Sequence, residues 1–179
     1  MHILDILQNS LRANATKIDL DIDEVTTANQ LIIAVSDNGK GMSEEVCEKV
    51  TDPFYTSRTT RKVGLGLPLL KQNAEQTGGS LRIESEEGLG TRVTATFILN
   101  HIDRPEMGDI AGALVLTITA NPDIEFSYRH RKDMQSYTFN TREIKGALGD
   151  LPLNDPHVYP LLLEMVRENL KEIHVDCTT

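Results

Sequence analysis

Asp37-Asn38-Gly39-Lys40-Gly41-Met42 is the stretch on which the reading of this chain turns. It follows Leu31-Ile32-Ile33-Ala34-Val35-Ser36, a run apolar enough for a buried strand. A carboxylate at the end of a strand, followed by two glycines one residue apart, makes a short loop of nearly bare backbone. Glycine admits positive φ and lets a flat ligand come close to the chain. The carboxylate is a charged acceptor, which discriminates against ligands lacking the matching donor. Alone, an Asp-Asn-Gly triplet after a strand is an ordinary turn. The elements on either side give it more weight.

Working outward, Ile3 to Ala15 carries a helical pattern: Ile3, Leu7, Leu11 and Ala15 recur every fourth residue, and Leu4 widens the stripe. Asp5 and Asn9 lie one turn apart on another face. Ile18, Leu20 and Ile22 alternate with Asp19, Asp21 and Asp23 as a half-buried strand. After the glycine loop, Ser43 with Glu44 and Glu45 opens a short helix through Val50. Thr51 to Val63 lacks periodicity and is locally basic, with Arg58, Arg61 and Lys62. It reads as a mobile lid, hinged by the Gly64-Leu65-Gly66-Leu67-Pro68 turn that leads into a helix. That helix stops at Gly78-Gly79. Leu81 and Ile83 mark a third strand. Glu87-Gly88-Leu89-Gly90 marks a turn, and Val93 to Leu99 a fourth strand.

A change of composition near Asn100 to Gly108 places a boundary, giving residues 1–102 and an extension, 103–179. In the extension Ile110 to Ala120 is apolar almost throughout, and Asp109 as a cap favours a helix. Ile124 to Tyr128 and Tyr137 to Phe139 read as a hairpin, and Thr141 as a helix cap. A last helix starts at Asp155-Pro156 with a stripe of Leu162, Val166, Leu170 and Ile173. This is more apolar surface than so short a segment buries alone. The extension is therefore expected to be an interaction module, most simply a homodimer contact.

Composition bounds the function. The chain has 179 residues, a net charge of −9 and 4% aromatic residues without tryptophan, so its core is aliphatic. The negative charge argues against nucleic acid or an anionic membrane as the main partner. The cysteines Cys47 and Cys177 form no metal-binding spacing and fit a reducing compartment. No apolar run reaches membrane-spanning length, and a cytoplasmic location is expected.

Taken together and in order, the helix with Asp5 and Asn9, the Asp37-Gly39-Gly41 loop, the Gly64-Leu65-Gly66-Leu67 turn and the Gly88-Gly90-Thr91 turn resemble the GHKL superfamily of ATPases. That group includes gyrase, heat-shock chaperones, histidine kinases and MutL-type repair ATPases. The resemblance runs from Met1 to about Asn100. Asp52-Pro53-Phe54-Tyr55-Thr56-Ser57 is similar to the phenylalanine box of histidine-kinase catalytic domains, whereas Leu11 to Ala15 looks more like the mismatch-repair branch.

The resemblance implies an α/β two-layer sandwich of the Bergerat kind, with a mixed sheet covered by helices on one face and a small α+β extension. It implies ATP and magnesium as ligands. Asn9 matches the residue that holds the magnesium ion, and Asp37 the acceptor of the adenine amine. Gly39 and Gly41 match the glycines that approach the nucleotide. Gly64, Leu65, Gly66 and Leu67 match the lid hinge, whose amides suit phosphate. Thr91 matches the threonine that supports adenine, and Arg58 and Lys62 are lid cations fit to screen phosphate. Asp5 matches the position of a general base in the gyrase and repair branches, one methylene shorter here. No phosphoacceptor segment surrounds His2, His101, His130, His157 or His174. The expected activity is therefore histidine-kinase-type transfer to a partner protein that carries the acceptor. The alternative is a slow ATPase, or a nucleotide-gated switch or sensor that regulates a partner without phosphotransfer.

Overall fold

A computed structural model of the chain describes residues 3–52 and 66–175. In chain order these form α1 (Ile3–Arg12), β1 (Lys17–Val25), β2 (Gln30–Asp37), α2 (Glu44–Lys49), α3 (Gly66–Gln76), β3 (Ser80–Glu86), β4 (Gly90–Ile98), α4 (Ile110–Ala120), β5 (Glu125–Lys132), β6 (Gln135–Asn140), α5 (Thr141–Leu148) and α6 (Val158–Glu172). The strands make one six-stranded sheet in the order β3-β4-β2-β1-β5-β6. Only the β1–β5 pairing is parallel among these, so the sheet is mixed. The α/β sandwich expected from sequence is the fold observed.

Alternation decides which face is buried. Ile18, Leu20 and Ile22 of β1 lie in register with Val35 and Ile33 of β2 and with Phe126 and Tyr128 of β5, and all are buried. The helices lie over this face: α1 contributes Ile3, Ile6 and Leu7, α3 Leu70 and Ala74, α4 Leu114 and Ile118, and α6 Val166 and Leu170. The opposite face carries the charged residues. There Asp21 pairs with Arg129 at 3.0 Å and Asp23 with Arg131 at 2.7 Å.

The segment read as an appendage, 103–179, is instead built into the sheet. β5 lies along the whole of β1, from Lys17 beside Glu125 to Glu24 beside Lys132. The apolar stripe of α6, with that of α4, joins the same core as α1 and β1. Of the three ways to cover this apolar surface, on the first segment, on a second copy or on a partner, the structure shows the first for the buried residues of α4 and α6. A parallel pairing between strands separated by six other elements leaves no local mark that a periodicity pattern can carry.

One buried polar group joins the two segments. His130 is fully buried, with Nε2 2.8 Å from Glu24 Oε1 and Nδ1 2.8 Å from the Tyr128 hydroxyl. With the imidazole proton on Nε2, His130 donates to Glu24 and its Nδ1 accepts from the Tyr128 hydroxyl. Both imidazole nitrogens and the Tyr128 hydroxyl then have a partner, as burial requires. Tyr137 stands edge-on to Tyr128 at 6.2 Å, and burial pushes its phenol up to about 12.

Three local expectations shift. The first helix ends at Arg12, because Asn14 takes φ 58°, which leaves Ala15 buried in the link to β1. The cap of α5 is Asn140, which accepts from the Arg142 amide, while the Thr141 hydroxyl accepts from the Phe126 amide. The final helix begins at Val158, so Pro160 falls in its first turn, where the amide has no intrahelical partner to lose. No helix among the described residues is long and apolar enough to cross a membrane.

A single core implies a single unfolding event. Leu114→Ala should lower the unfolding free energy by about 2–5 kcal/mol, and urea should unfold the chain in one transition. Two separate transitions would show that the extension folds apart from the rest.

Candidate functional site

The pairing register places three polar side chains in one row at the end of the helix-covered face. Asp37 of β2 lies opposite Thr91 of β4, and Thr91 opposite Ser85 of β3. These positions continue the buried alternations of Leu31, Ile33 and Val35 and of Val93, Ala95 and Phe97. Where the sheet ends, hydroxyl and carboxylate groups replace the aliphatic side chains.

Asp37 is half-buried and its carboxylate is held from two sides. Oδ1 accepts from the Gly39 amide at 2.9 Å, and Oδ2 accepts from the Ser10 hydroxyl of α1 at 2.6 Å. A carboxylate oxygen has room for a second donor, so each oxygen keeps acceptor capacity. Asn38 fastens the loop to the start of β1: its side-chain oxygen accepts from the Thr16 and Lys17 amides, and its nitrogen donates to the Thr16 hydroxyl. The Lys40 amide bonds the Ala13 carbonyl at 2.9 Å, tying the loop to the end of α1 as well.

The glycines are required by close packing of backbone. Gly41 has φ 65°, and a Cβ there would fall on the Glu86 carbonyl. Gly90 has φ 118°, and a Cβ there would fall on the Asp37 carbonyl. A Cβ at Gly39 would come 2.7 Å from the Ala13 side chain. The loop is thus pressed against α1, β3 and β4 together.

On α1, Asn9 is half-buried and its side chain makes no hydrogen bond among the described residues; Asp5 is exposed one turn earlier. The start of α3 reaches the same helix, where a Cβ on Gly66 would meet the Asp5 Cβ at 2.7 Å. Leu67 is buried in the core cluster. Arg58, Arg61, Lys62, Gly64 and Leu65, with the box from Pro53 to Ser57, lie outside the described residues, as does most of the expected lid. The structure thus brings Asp37, Gly39, Gly41 and Thr91 together and sets Asn9 and Asp5 on the neighbouring helix.

Sequence reasoning missed Ser10 and Ser85. Both had a signal. Ser10 completes the buried set Ile3, Ile6, Leu7, Ser10, so it is a hydroxyl at a core position of α1. Ser85 completes the alternation Leu81, Ile83, Ser85. A hollow of about 420 Å³ on the other face is lined by Asp19, Asp21, Arg92 and Arg129 among others, and Asp21 and Arg129 pair with each other. It lies across the sheet from the Asp37 row.

Residues 2–101 match the model of the histidine kinase-, DNA gyrase B- and HSP90-like ATPase family. This chain belongs to that family. Sporulation kinase D of Bacillus subtilis is 38% identical over 94 residues, which is 52% of this chain and 18% of that protein. Sporulation kinase C of the same organism is 33% identical over 88 residues, 49% of this chain and 20% of that protein. The chain spans about a fifth of the length of these curated relatives. Among solved structures, the N-terminal domain of a DNA repair protein superposes with a TM-score of 0.53 at 15% identity, over 78% of this chain and 50% of that one. That likeness extends beyond residue 101, and it shows the fold alone.

Gly88 is a control for the close packing at Gly41. Gly88 also has positive φ, 80°, but nothing lies within 4 Å of a Cβ built on it. Gly88→Ala should therefore cost about 1–2 kcal/mol, the ordinary cost of left-handed backbone. Gly41→Ala should cost more, because its Cβ also meets the Glu86 carbonyl. Urea unfolding of the two variants compares them; equal losses would mean that the loop is not tightly held.

Proposed function

We propose that this chain binds ATP with magnesium in the space beside the Asp37 row and presents the γ-phosphate for histidine-kinase-type transfer to a partner protein. The observation that carries the reading is the Asp37 carboxylate. It is half-buried and oriented by two protein donors, and it keeps acceptor capacity on a face shared with Thr91. An exocyclic amine is the donor such an acceptor favours. Family membership and the similarity to the two sporulation kinases support the same reading.

The residues present fit both ligands. Asn9 offers an amide oxygen that no described protein group occupies, and magnesium takes oxygen ligands while keeping several waters. Among the described residues no group of three or more His, Cys, Asp or Glu side chains stands ready for a metal. The ion would then be shared between Asn9, the nucleotide phosphates and water. Gly66 at the start of α3 offers a helix amide for phosphate. Gly64, Leu65, Arg58 and Lys62 complete the phosphate side of the proposal. Phosphoryl transfer asks the protein mainly for positioning and charge stabilisation, which these groups supply. In the transfer, the bond from the β–γ bridging oxygen to the γ-phosphorus breaks as a partner imidazole nitrogen attacks, and ADP leaves.

Asp5 supports a second reading. It is a carboxylate on α1, one turn from Asn9 and packed beside Gly66. As a general base toward water it would make the chain a slow ATPase or a nucleotide-timed switch. Incubation with γ-labelled ATP and histidine-bearing partner proteins separates the two. Label on a partner histidine supports transfer. Free phosphate alone, lost in Asp5→Ala, supports hydrolysis.

Asp37→Asn should weaken ATP binding by about 1–3 kcal/mol, roughly 5- to 150-fold, with fold and stability largely retained. An amide has one acceptor oxygen, so its nitrogen would face either the Gly39 amide or the Ser10 hydroxyl. Calorimetry showing equal affinity would remove Asp37 from the site. Asn9→Ala should remove the magnesium dependence of binding without loss of fold, read by titration with and without the ion.

A further inference from the structure

Ser85 is the member of the row for which the proposed function has no use, and it makes the most contacts. Its Oγ lies 2.9 Å from the Met42 amide nitrogen, 3.0 Å from the Gly90 carbonyl and 2.8 Å from the Thr91 hydroxyl. A hydroxyl has one proton to give and two lone pairs to accept with. The Met42 amide can only donate and the Gly90 carbonyl can only accept. One assignment therefore satisfies all three contacts: Met42 N–H and Thr91 O–H donate to Ser85, and Ser85 donates to the Gly90 carbonyl.

Two consequences follow. The Met42 amide closes the glycine loop onto β3 through a side chain, beside the Gly41 contact with the Glu86 carbonyl. Thr91, with its proton committed to Ser85, turns only lone pairs in its remaining directions. Asp37 and Thr91, opposite each other in the register, then form a row made entirely of acceptors.

We propose that Ser85 is a positioning residue that sets base selectivity: by taking the Thr91 proton and the Met42 amide it keeps the pocket wall acceptor-only. At the six-position such a wall accepts from an amino group and faces a carbonyl with no donor. The inference rests on the reading of the Asp37 row as a nucleotide site. It goes beyond that reading in assigning the discrimination to a residue on β3 that need not touch the ligand. Without Ser85, the Thr91 hydroxyl is free to rotate and donate, and a six-position carbonyl gains a partner.

Adenosine and inosine triphosphates test it, since they differ at that edge of the base. Their dissociation constants are measured by calorimetry for wild type, Ser85→Ala and Ser85→Thr, with hydrogen exchange at the Met42 amide followed in parallel. Wild type should prefer ATP. Ser85→Ala should cut the preference by about 3- to 10-fold, the worth of one hydrogen bond, and should speed Met42 exchange. Ser85→Thr, which restores the hydroxyl, should restore both. If Ser85→Ala does not fold, Ser85→Cys keeps the shape with a far weaker acceptor and should show the same loss. An unchanged ratio in a folded Ser85→Ala or Ser85→Cys protein overturns the role of Ser85 while leaving the site in place. A wild type that binds neither nucleotide overturns the site reading and this inference with it.

Discussion

The structure depends on a knot of backbone contacts in which no side chain fits. At Gly41 and Gly90 the chain runs against the carbonyls of Glu86 and Asp37, and at Gly39 against Ala13. These contacts fix the end of β2, the start of β4 and the end of α1 relative to one another. Only a loop held this closely can keep a carboxylate in one orientation, and Asp37 is held by the Gly39 amide and the Ser10 hydroxyl. The strands supply the row and the glycines supply its closure. The serines then set the direction of its hydrogen bonds.

The β5–β6 hairpin and α4 and α6 work at a distance from this knot. β5 covers the edge of β1, and the buried Tyr128–His130–Glu24 group locks that pairing from within the core. Losing one partner of such a group would strand the others without hydrogen bonds, a cost of about 1–3 kcal/mol. α4 contacts both α6 and α1, so the extension braces the helix that carries Asp5, Ser10 and Asn9. The extension thus bears on the site through packing.

Much of this was legible in the sequence, for reasons particular to each element. The strands β1 and β4 alternate cleanly, β2 is a continuous apolar run, and the glycine spacing between Asp37 and Met42 announces its loop. Of the three helices of the extension, α4 is apolar almost throughout and α6 carries a full apolar stripe. Long-range pairing was not legible: nothing in Glu125 to Lys132 says that it lies parallel to Lys17 to Glu24. At the site, Asp37 and Thr91 stand out by residue type and motif. Ser10 and Ser85 do not, since a serine in an apolar pattern is ordinary until the register shows which groups face it. His130, one of the five histidines with no acceptor segment around it, lies in the core.

The central claim is that the Asp37 carboxylate receives the amine of an adenine ring. A crystal structure of the chain with magnesium and a non-hydrolysable ATP analogue tests it most directly. The account predicts the base against the Asp37–Thr91 row, with its exocyclic nitrogen at ordinary hydrogen-bond distance, about 2.7–3.2 Å, from a carboxylate oxygen. A nucleotide found instead on the opposite face of the sheet, in the hollow lined by Asp19, Asp21, Arg92 and Arg129, would contradict it.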